Sequence, residues 1–389
     1  MFGTIVKERR QKLMIYLDYA ATTPVDRRVL STFNKVCLDY PGNSNSLHKL
    51  GMEAKELEDY ATERIKELLN LKNEEIIYTS GASEANNHVI KGVCSKYKSR
   101  GKHIITTFLE HSSVLSTVNY LSNQGFIVDY VKIKDDGQVD LEHLKKLLNN
   151  DTILVSICAV DSELGIRQPI EEISKIVRDY PKCFFHVDCT QAIGKIPLCF
   201  DFMDFATCSA HKIYGLKGIG LLIKKKNIML DNLIHGGKSS TVYRSGTPAL
   251  PLIVSTMKAL ELIIPHIEEN TSYVKELNQS ILNFFKKYPS ILVNSTSNSV
   301  YSTINISIPN IKPETFIHAM DNYDIYISTK SACSSSNTMS DSVYAVTKDR
   351  ERAMHSIRIS LSFKTTKEEI EKFCSCFDVC YQSLNFKEK

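Results

Sequence analysis

FHVDCTQAIGKIP (185–197) is followed closely by FATCSAHKIYGLKGIG (205–220), and together they have the pattern of consecutive strands in an α/β fold. Two short apolar runs each end in polar residues. The first ends in Asp188, the second in a small-residue turn that carries Ser209, His211 and Lys212. An acid closing a buried strand and a lysine in a later turn suit a pyridinium cofactor, which the lysine holds covalently. The same pair also fits an α/β fold without any cofactor, as a strand end and a loop lysine, so the flanking segments have to decide.

Working outward, YLDYAATTPVD (16–26) reads as a short strand turning at Thr23-Pro24 into a helix from Arg27 to Leu38. YPGNSNSLHKLG (40–51) is rich in turn formers, Asn43, Ser46 and His48 among them, and leads into a charged helix from Met52 to Leu69. EEIIYTSGASEANNHVIKGV (74–93) reads as strand, glycine turn and helix. Backbone N–H groups at a helix start are unpaired and receive a phosphate dianion, so Gly81, Ala82 and Ser83 form a candidate phosphate cradle; the same turn also caps a helix with no ligand. KHIITTFLEHSSVLSTVNYL (102–121) repeats the theme with His111 just past the strand, as a cap or a site residue. TILVSICAVDSELGIRQPIEEISKIV (152–177) repeats it again, with Asp161, Ser162 and Glu163 in the loop.

The C-terminal part changes character. Leu250 to Lys287 is a long helical pattern interrupted by Pro265. STINISIPN (302–310) alternates as a strand, SIRISLSF (356–363) is a second, and TTKEEI (365–370) opens the last helix with a threonine cap. Arg358, inside an apolar strand, needs an anion, which either a substrate carboxylate or an internal acid supplies. KSACSSSNTMSDSV (330–343) reads as a surface loop. Its Cys333 is either a reactive exposed thiol or an incidental one.

These motifs, in this order and from YLDYAATTPVD to SIRISLSFKTTKEEI (356–370), resemble the pyridoxal-phosphate (PLP) cysteine desulfurases, class V aminotransferase-like enzymes of fold-type I. The resemblance implies a large α/β domain with a central, mostly parallel sheet flanked by helices, over 16–255. A smaller α+β domain follows from 1–15 and 256–389 and carries the cysteine loop. It implies PLP bound by Gly81, Ala82, Ser83, His111, Asp188, Gln191, Ser209, His211 and Lys212, with Thr247 reaching the phosphate of a neighbouring subunit. Lys212, His111 and Cys333 are the implied catalytic groups, and Arg358 and Asn43 the implied substrate contacts. The expected activity converts L-cysteine to L-alanine, with sulfur passing to Cys333 as a persulfide for iron–sulfur cluster, tRNA or thio-cofactor synthesis. A homodimer and a sulfur-acceptor protein, an iron–sulfur scaffold or a tRNA-thiolating enzyme, are the implied partners. Two alternatives stay open: a selenocysteine lyase or other PLP-dependent lyase, and a non-catalytic homologue acting as an interaction protein.

The chain departs from the family wording in named places. Asp161 and Ser162 stand where the family writes two asparagines, and an ionised Asp161 would repel the cofactor oxygen that an amide would serve. Lys238, Ser239 and Ser240 change the middle of HGGKSSTVYRSGTPAL (235–250), in which Arg244 and Thr247 are kept. Lys330 and Ser336 replace glycines around Cys333.

Bulk composition sets the remaining bounds. A length of 389 residues allows two domains, and 43% apolar with 24% charged residues is ordinary for a soluble enzyme. A net charge of +4 implies no direct nucleic-acid surface. No apolar run is read as membrane-spanning, and no metal site is expected; Cys374, Cys376 and Cys380 read as helix packing. Eleven cysteines scattered through apolar runs are read as reduced thiols, which makes the cytoplasm the expected location.

Overall fold

The computed structural model describes residues 14–237, 239–329 and 339–385. The chain enters on β1 (Ile15–Tyr16) and passes through α1 (Arg27–Asp39) and α2 (Lys49–Leu68). Asp26 caps α1 by accepting the Arg28 N–H at 2.9 Å, and His48 Nδ1 caps α2 by accepting the Gly51 N–H at 3.2 Å.

Strand and helix then alternate. The order is β2 (Glu74–Thr79), α3 (Ala82–Tyr97), β3 (His103–Thr106), α4 (Ser112–Ser122), β4 (Ile127–Tyr130), α5 (Leu141–Leu147), β5 (Thr152–Ser156), α6 (Ile170–Arg178) and β6 (Phe184–Asp188). Two further strands, β7 (Phe205–Ser209) and β8 (Gly220–Lys225), complete a seven-stranded sheet ordered β2-β8-β7-β6-β5-β3-β4. From β7 to β4 every neighbour is parallel. β3, β5 and β7 are buried along their whole length, the polar His103, Thr106, Thr152, Ser156, Thr207 and Ser209 included, so they show no in-and-out alternation. The antiparallel strand β8 is not anticipated by the strand-then-helix pattern. It returns directly from the Lys212 turn and pairs with both β7 and β2.

α7 (Leu250–Ile263) and α8 (Ile267–Phe285) are separated by a tight 3-10 turn, Ile264–His266, at Pro265. Beyond them come β9 (Leu292–Val293), β10 (Thr303–Ser307), α9 (Pro313–Asp321), β11 (Ile325–Tyr326), α10 (Asp341–Thr347), α11 (Arg350–Met354), β12 (Ser356–Ser360) and α12 (Lys367–Asn385). The antiparallel sheet β12-β10-β9 forms here, and β1 pairs in parallel with β11. Thr366 and Glu369 close a reciprocal capping box at the start of α12: the Thr366 hydroxyl accepts the Glu369 N–H at 3.1 Å, and the Glu369 carboxylate accepts the Thr366 N–H at 2.8 Å.

The two regions have separate apolar cores. Leu250 to Ile263 pack with the large sheet, whereas Val274, Leu277, Ile281 and Phe285 of α8 pack with Ile15, Leu17 and the small sheet, and Val300, Val343, Val346 and Ala353 return to the first core. Along α7 and α8 the change of core falls at the Pro265 turn. Two expectations are corrected. The tract read as loop to 343 becomes α10 from Asp341, because the Ser340 hydroxyl caps it by accepting the Val343 N–H at 3.1 Å. The helical stretch Leu250–Phe285 is, by length and composition, long and apolar enough to cross a bilayer, contrary to the reading of no such run. Half of its apolar window is buried inside the protein, as in a core helix. Cys376 and Cys380 lie in the second core, and among the described residues no group of three or more metal-ligating side chains occurs.

Candidate active site

The parallel strands deliver their C-terminal ends to one side of the sheet, and a cavity of about 400 Å³ opens there. Its wall brings together Gly81, Ala82, Ser83, His111, Asp188, Gln191, Ser209, His211, Lys212 and Arg358, with Asp161 and Ser162 among them.

One end of the cavity is the start of α3. Gly81 precedes the helix and no side chain caps it, so the first N–H groups are left to whatever enters. The approach is close: a Cβ on Gly220 in β8 would lie 2.6 Å from the Gly81 carbonyl carbon. Ser209 and His211 flank this end from the turn after β7. Burial, then the charges of Lys212 and Lys217, lower the His211 pKa to about 4, so the ring is neutral. Its Nδ1 lies 3.1 Å from the Thr22 hydroxyl.

At the other end, Asp188 closes β6. Its carboxylate accepts the Thr190 N–H at 2.9 Å and an Asn86 amide N–H at 2.8 Å. Lys212 lies on the turn between β7 and β8, with Nζ donating to the Ala20 and Ala21 carbonyls at 2.5 and 2.8 Å. Gln191 donates to the same Ala20 carbonyl at 2.9 Å, and its own oxygen accepts from Lys195 Nζ at 2.7 Å. His111 caps α4, its Nδ1 accepting the Ser113 N–H at 3.1 Å, and burial lowers its pKa.

Asp161 does not present its charge as the sequence alone suggests. Its two oxygens accept backbone N–H groups from Glu163, Leu164 and Ile166 at 2.8, 3.0 and 2.9 Å, which fastens its own loop. Burial raises its pKa to about 6 against the pull of those bonds. Arg358 enters from β12: Nη1 donates to the Ser162 carbonyl at 2.8 Å, Nη2 to Asp18 at 2.9 Å, and the buried Nε has no partner among the described residues.

Two expected site residues lie elsewhere. Asn43 is exposed and outside the cavity wall. Its side chain accepts the Asn45 N–H at 3.0 Å, a local turn bond that competes with any outward role. Thr247 lines a neighbouring groove with Ser239 and Arg244, one that shares Ser80 and Gly218 with the cavity. Cys333 lies outside the described residues. Asn86, Ser113, Lys195 and Asp18 were missed by sequence reasoning. Asn86 carried a usable signal: it is one helical turn beyond Ala82, on the face of α3 that looks into the cavity.

The class-V aminotransferase model matches residues 15–373. The chain is 40% identical over 368 residues to the cysteine desulfurase IscS of Buchnera aphidicola subsp. Acyrthosiphon pisum, covering 92% of this chain and 90% of that protein. It is 38% identical over 366 residues to the mitochondrial cysteine desulfurase of Arabidopsis thaliana, covering 92% and 80%. A solved NifS-like protein from Rickettsia africae superposes with a TM-score of 0.85 at 32% identity, over 95% of this chain and 99% of that one. The chain belongs to the class-V aminotransferase family. Within it, the chain falls in the NifS/IscS cysteine desulfurase group, and its cofactor is PLP.

The cavity of this class-V chain fits that group in its own chemistry. The uncapped α3 start, with Ser209 and His211, suits the phosphate. Asp188, acceptor-only when ionised, suits a protonated ring nitrogen. Lys212 and Thr190 line the same cavity, and the buried Thr190 hydroxyl has no partner among the described residues.

Proposed function

We propose that this chain is a PLP-dependent cysteine desulfurase that carries sulfur as a persulfide on Cys333. The observation that supports it best is the convergence of Lys212, Asp188, the α3 start and Arg358 on one cavity. PLP bound there supplies an electron sink for the charge left when an amino-acid Cα loses its proton.

The chain's own groups divide the work. Arg358 takes the α-carboxylate of L-cysteine, and Lys212, which would hold the cofactor, moves the Cα proton. The Cys333 thiolate attacks the substrate sulfur. An S–S bond forms, the substrate C–S bond breaks, the persulfide stays on Cys333, and the remainder takes up protons and leaves as L-alanine.

The described residues that flank the Cys333 segment in sequence are anchored to the site's own elements. The Ser328 N–H donates to the Arg358 carbonyl at 3.1 Å and the Arg358 N–H to the Ser328 carbonyl at 2.7 Å, while the Ser340 hydroxyl donates to Glu163 at 2.5 Å. Cys333 is five residues from Ser328, so at most about 18 Å of extended chain separates them. In this reading the enzyme works in the cytoplasm as a homodimer, offers Thr247 to its partner's cavity, and passes sulfur to an iron–sulfur scaffold or a tRNA-thiolating enzyme.

The test is to add PLP to purified protein, record the visible absorbance, and then follow alanine and sulfide on addition of L-cysteine. A lysine-dependent visible band, stoichiometric alanine, and loss of the persulfide but not of the band in Cys333→Ser support the reading. Alanine formation unaffected by Cys333→Ser would point instead to a lyase that needs no protein thiol, and absence of the band to a homologue without catalysis.

A further inference from the structure

His111 stands in the cavity wall with one ring nitrogen already spoken for, and the surrounding hydrogen bonds determine which. Asp188, acceptor-only when ionised, requires the Asn86 amide to face it with Nδ2, at 2.8 Å. The same NH₂ group donates its second hydrogen to the Ser113 hydroxyl at 2.9 Å. The opposite side of the amide, Oδ1, accepts from the Thr207 hydroxyl, so this orientation is satisfied at every atom. Because Ser113 Oγ receives a hydrogen from Asn86, its own hydrogen is free to go to His111 Nδ1, 2.8 Å away. The Ser113 backbone N–H points at that same nitrogen from 3.1 Å. Two donors on Nδ1 leave no room for a proton there.

The chain continues on the other side with the same polarity. Thr207 has given its hydrogen to Asn86, so His186 Nε2–H must donate to Thr207 Oγ1 at 3.2 Å, and the Ser156 hydroxyl donates to His186 Nδ1 at 2.8 Å. Burial, which lowers the His186 pKa to about 4, keeps that ring neutral and able to take part in this way. Every donor from Ser156 to His111 therefore points in one direction, an arrangement in which each bond polarises the next.

We propose that Asn86 and Ser113 are positioning residues that hold His111 as the neutral Nε2–H tautomer, so that it serves the cavity as a hydrogen-bond donor and not as a base. With Nε2 protonated, the ring's one lone pair is on Nδ1, where two donors already engage it, so no lone pair faces the cavity to accept a proton. Proton removal from the substrate is then left to Lys212, and His111 is confined to donating at Nε2. That consequence rests on the proposed reaction, but the tautomer is a property of the chain and is read without turnover.

The experiment is nuclear magnetic resonance of the PLP-loaded enzyme, isotope-labelled at the histidine ring nitrogens, with the His111 signals identified by their absence from His111→Asn. At neutral pH the expected pattern is a bare, pyridine-type Nδ1 and a protonated Nε2. In Ser113→Ala the ratio of Nε2–H to Nδ1–H forms falls by roughly three- to tenfold, the worth of one neutral hydrogen bond. In Ser113→Thr, which keeps the hydroxyl, the ratio returns. A helix-start role for Ser113 alone would not produce this difference in ring protonation. A wild-type spectrum showing Nδ1–H or a doubly protonated ring overturns the proposal even if both variants fail to fold. A Ser113→Ala spectrum identical to wild type overturns the part given to the Asn86–Ser113 link. Loss of desulfurase activity with the tautomer intact would count against the proposed function and leave this inference standing.

Discussion

Arg358 and Asp18 form an ion pair of 2.9 Å between β12 and the segment after β1, with the arginine side chain only 1% exposed. The pair compensates the guanidinium's burial, while Nε, which has no partner among the described residues, remains as a donor on a residue of the cavity wall. A substrate carboxylate would meet a cation already oriented by Asp18 and the Ser162 carbonyl. Arg358→Lys keeps the charge and loses the planar fork. It is expected to raise KM for L-cysteine about 10- to 100-fold, the worth of about 1.5–3 kcal/mol for a charge-assisted hydrogen bond, with the bound-cofactor absorbance retained. Steady-state kinetics beside the absorbance spectrum checks this; an unchanged KM with a lowered kcat would place the carboxylate elsewhere.

The cradle at Gly81 is set by a glycine in another strand. A Cβ on Gly220 would meet Gly81 Cα at 2.7 Å and the Cys208 carbonyl oxygen at 2.7 Å, so neither side can give without moving backbone. Gly220→Ala is expected to cost about 1–3 kcal/mol of stability through overpacking and to weaken PLP retention. Thermal unfolding with and without PLP separates the two effects: the cofactor-induced rise in Tm should shrink as well as the baseline Tm. A lowered baseline with the full cofactor-induced rise would mean that the cradle is not built on this contact.

Glu110 gives a pH dependence of known sign. One oxygen accepts the Thr107 hydroxyl at 2.9 Å and the Cys158 N–H at 2.8 Å, the other is buried without a partner among the described residues, and burial raises the pKa from 4.5 to about 8. The folded state thus binds this proton more tightly than the unfolded chain. Its stabilising contribution is full below pH 4.5, declines as the pH rises from there, and is lost above about 8. Glu110→Gln keeps the accepting oxygen and cannot ionise. Denaturant titrations are expected to show wild type losing stability relative to Glu110→Gln as pH rises through this window, on the order of a few kcal/mol in total. The opposite trend would show that the carboxylate is held ionised.

The parts of the site that could be read from sequence are those at strand ends. Asp188, Lys212 and the Gly81 turn each follow an apolar run, where a polar residue has few placements, and Arg358 interrupts one. What could not be read depends on facing elements. Asn86 and Lys195 look like ordinary helix and turn residues until Asp188 and Gln191 are set opposite them. The antiparallel direction of β8 follows from a tight return after Lys212, which periodicity does not encode. Asn43 shows the reverse case, in which a residue named by motif is occupied by its own turn.

Asp161 carries the last prediction, because its chemistry reverses the expectation drawn from the family wording. Restoring the family's asparagine looks like a repair, yet the carboxylate receives backbone N–H groups on both oxygens, Glu163 and Leu164 on one and Ile166 on the other. An amide offers one accepting oxygen, and its NH₂ would face an N–H donor. Asp161→Asn is therefore expected to destabilise this chain by about 1–3 kcal/mol, the cost of a buried backbone donor left unpaired. The loss should be larger at low pH than at high pH. Burial raises the Asp161 pKa to about 6, so the wild-type carboxyl itself contributes most when protonated, and that contribution declines as pH rises from 3.8 through about 6. Equilibrium unfolding of both proteins across that range checks the sign. A variant as stable as wild type, with altered cofactor absorbance, would show that the side chain turns to the cofactor and not to its own loop.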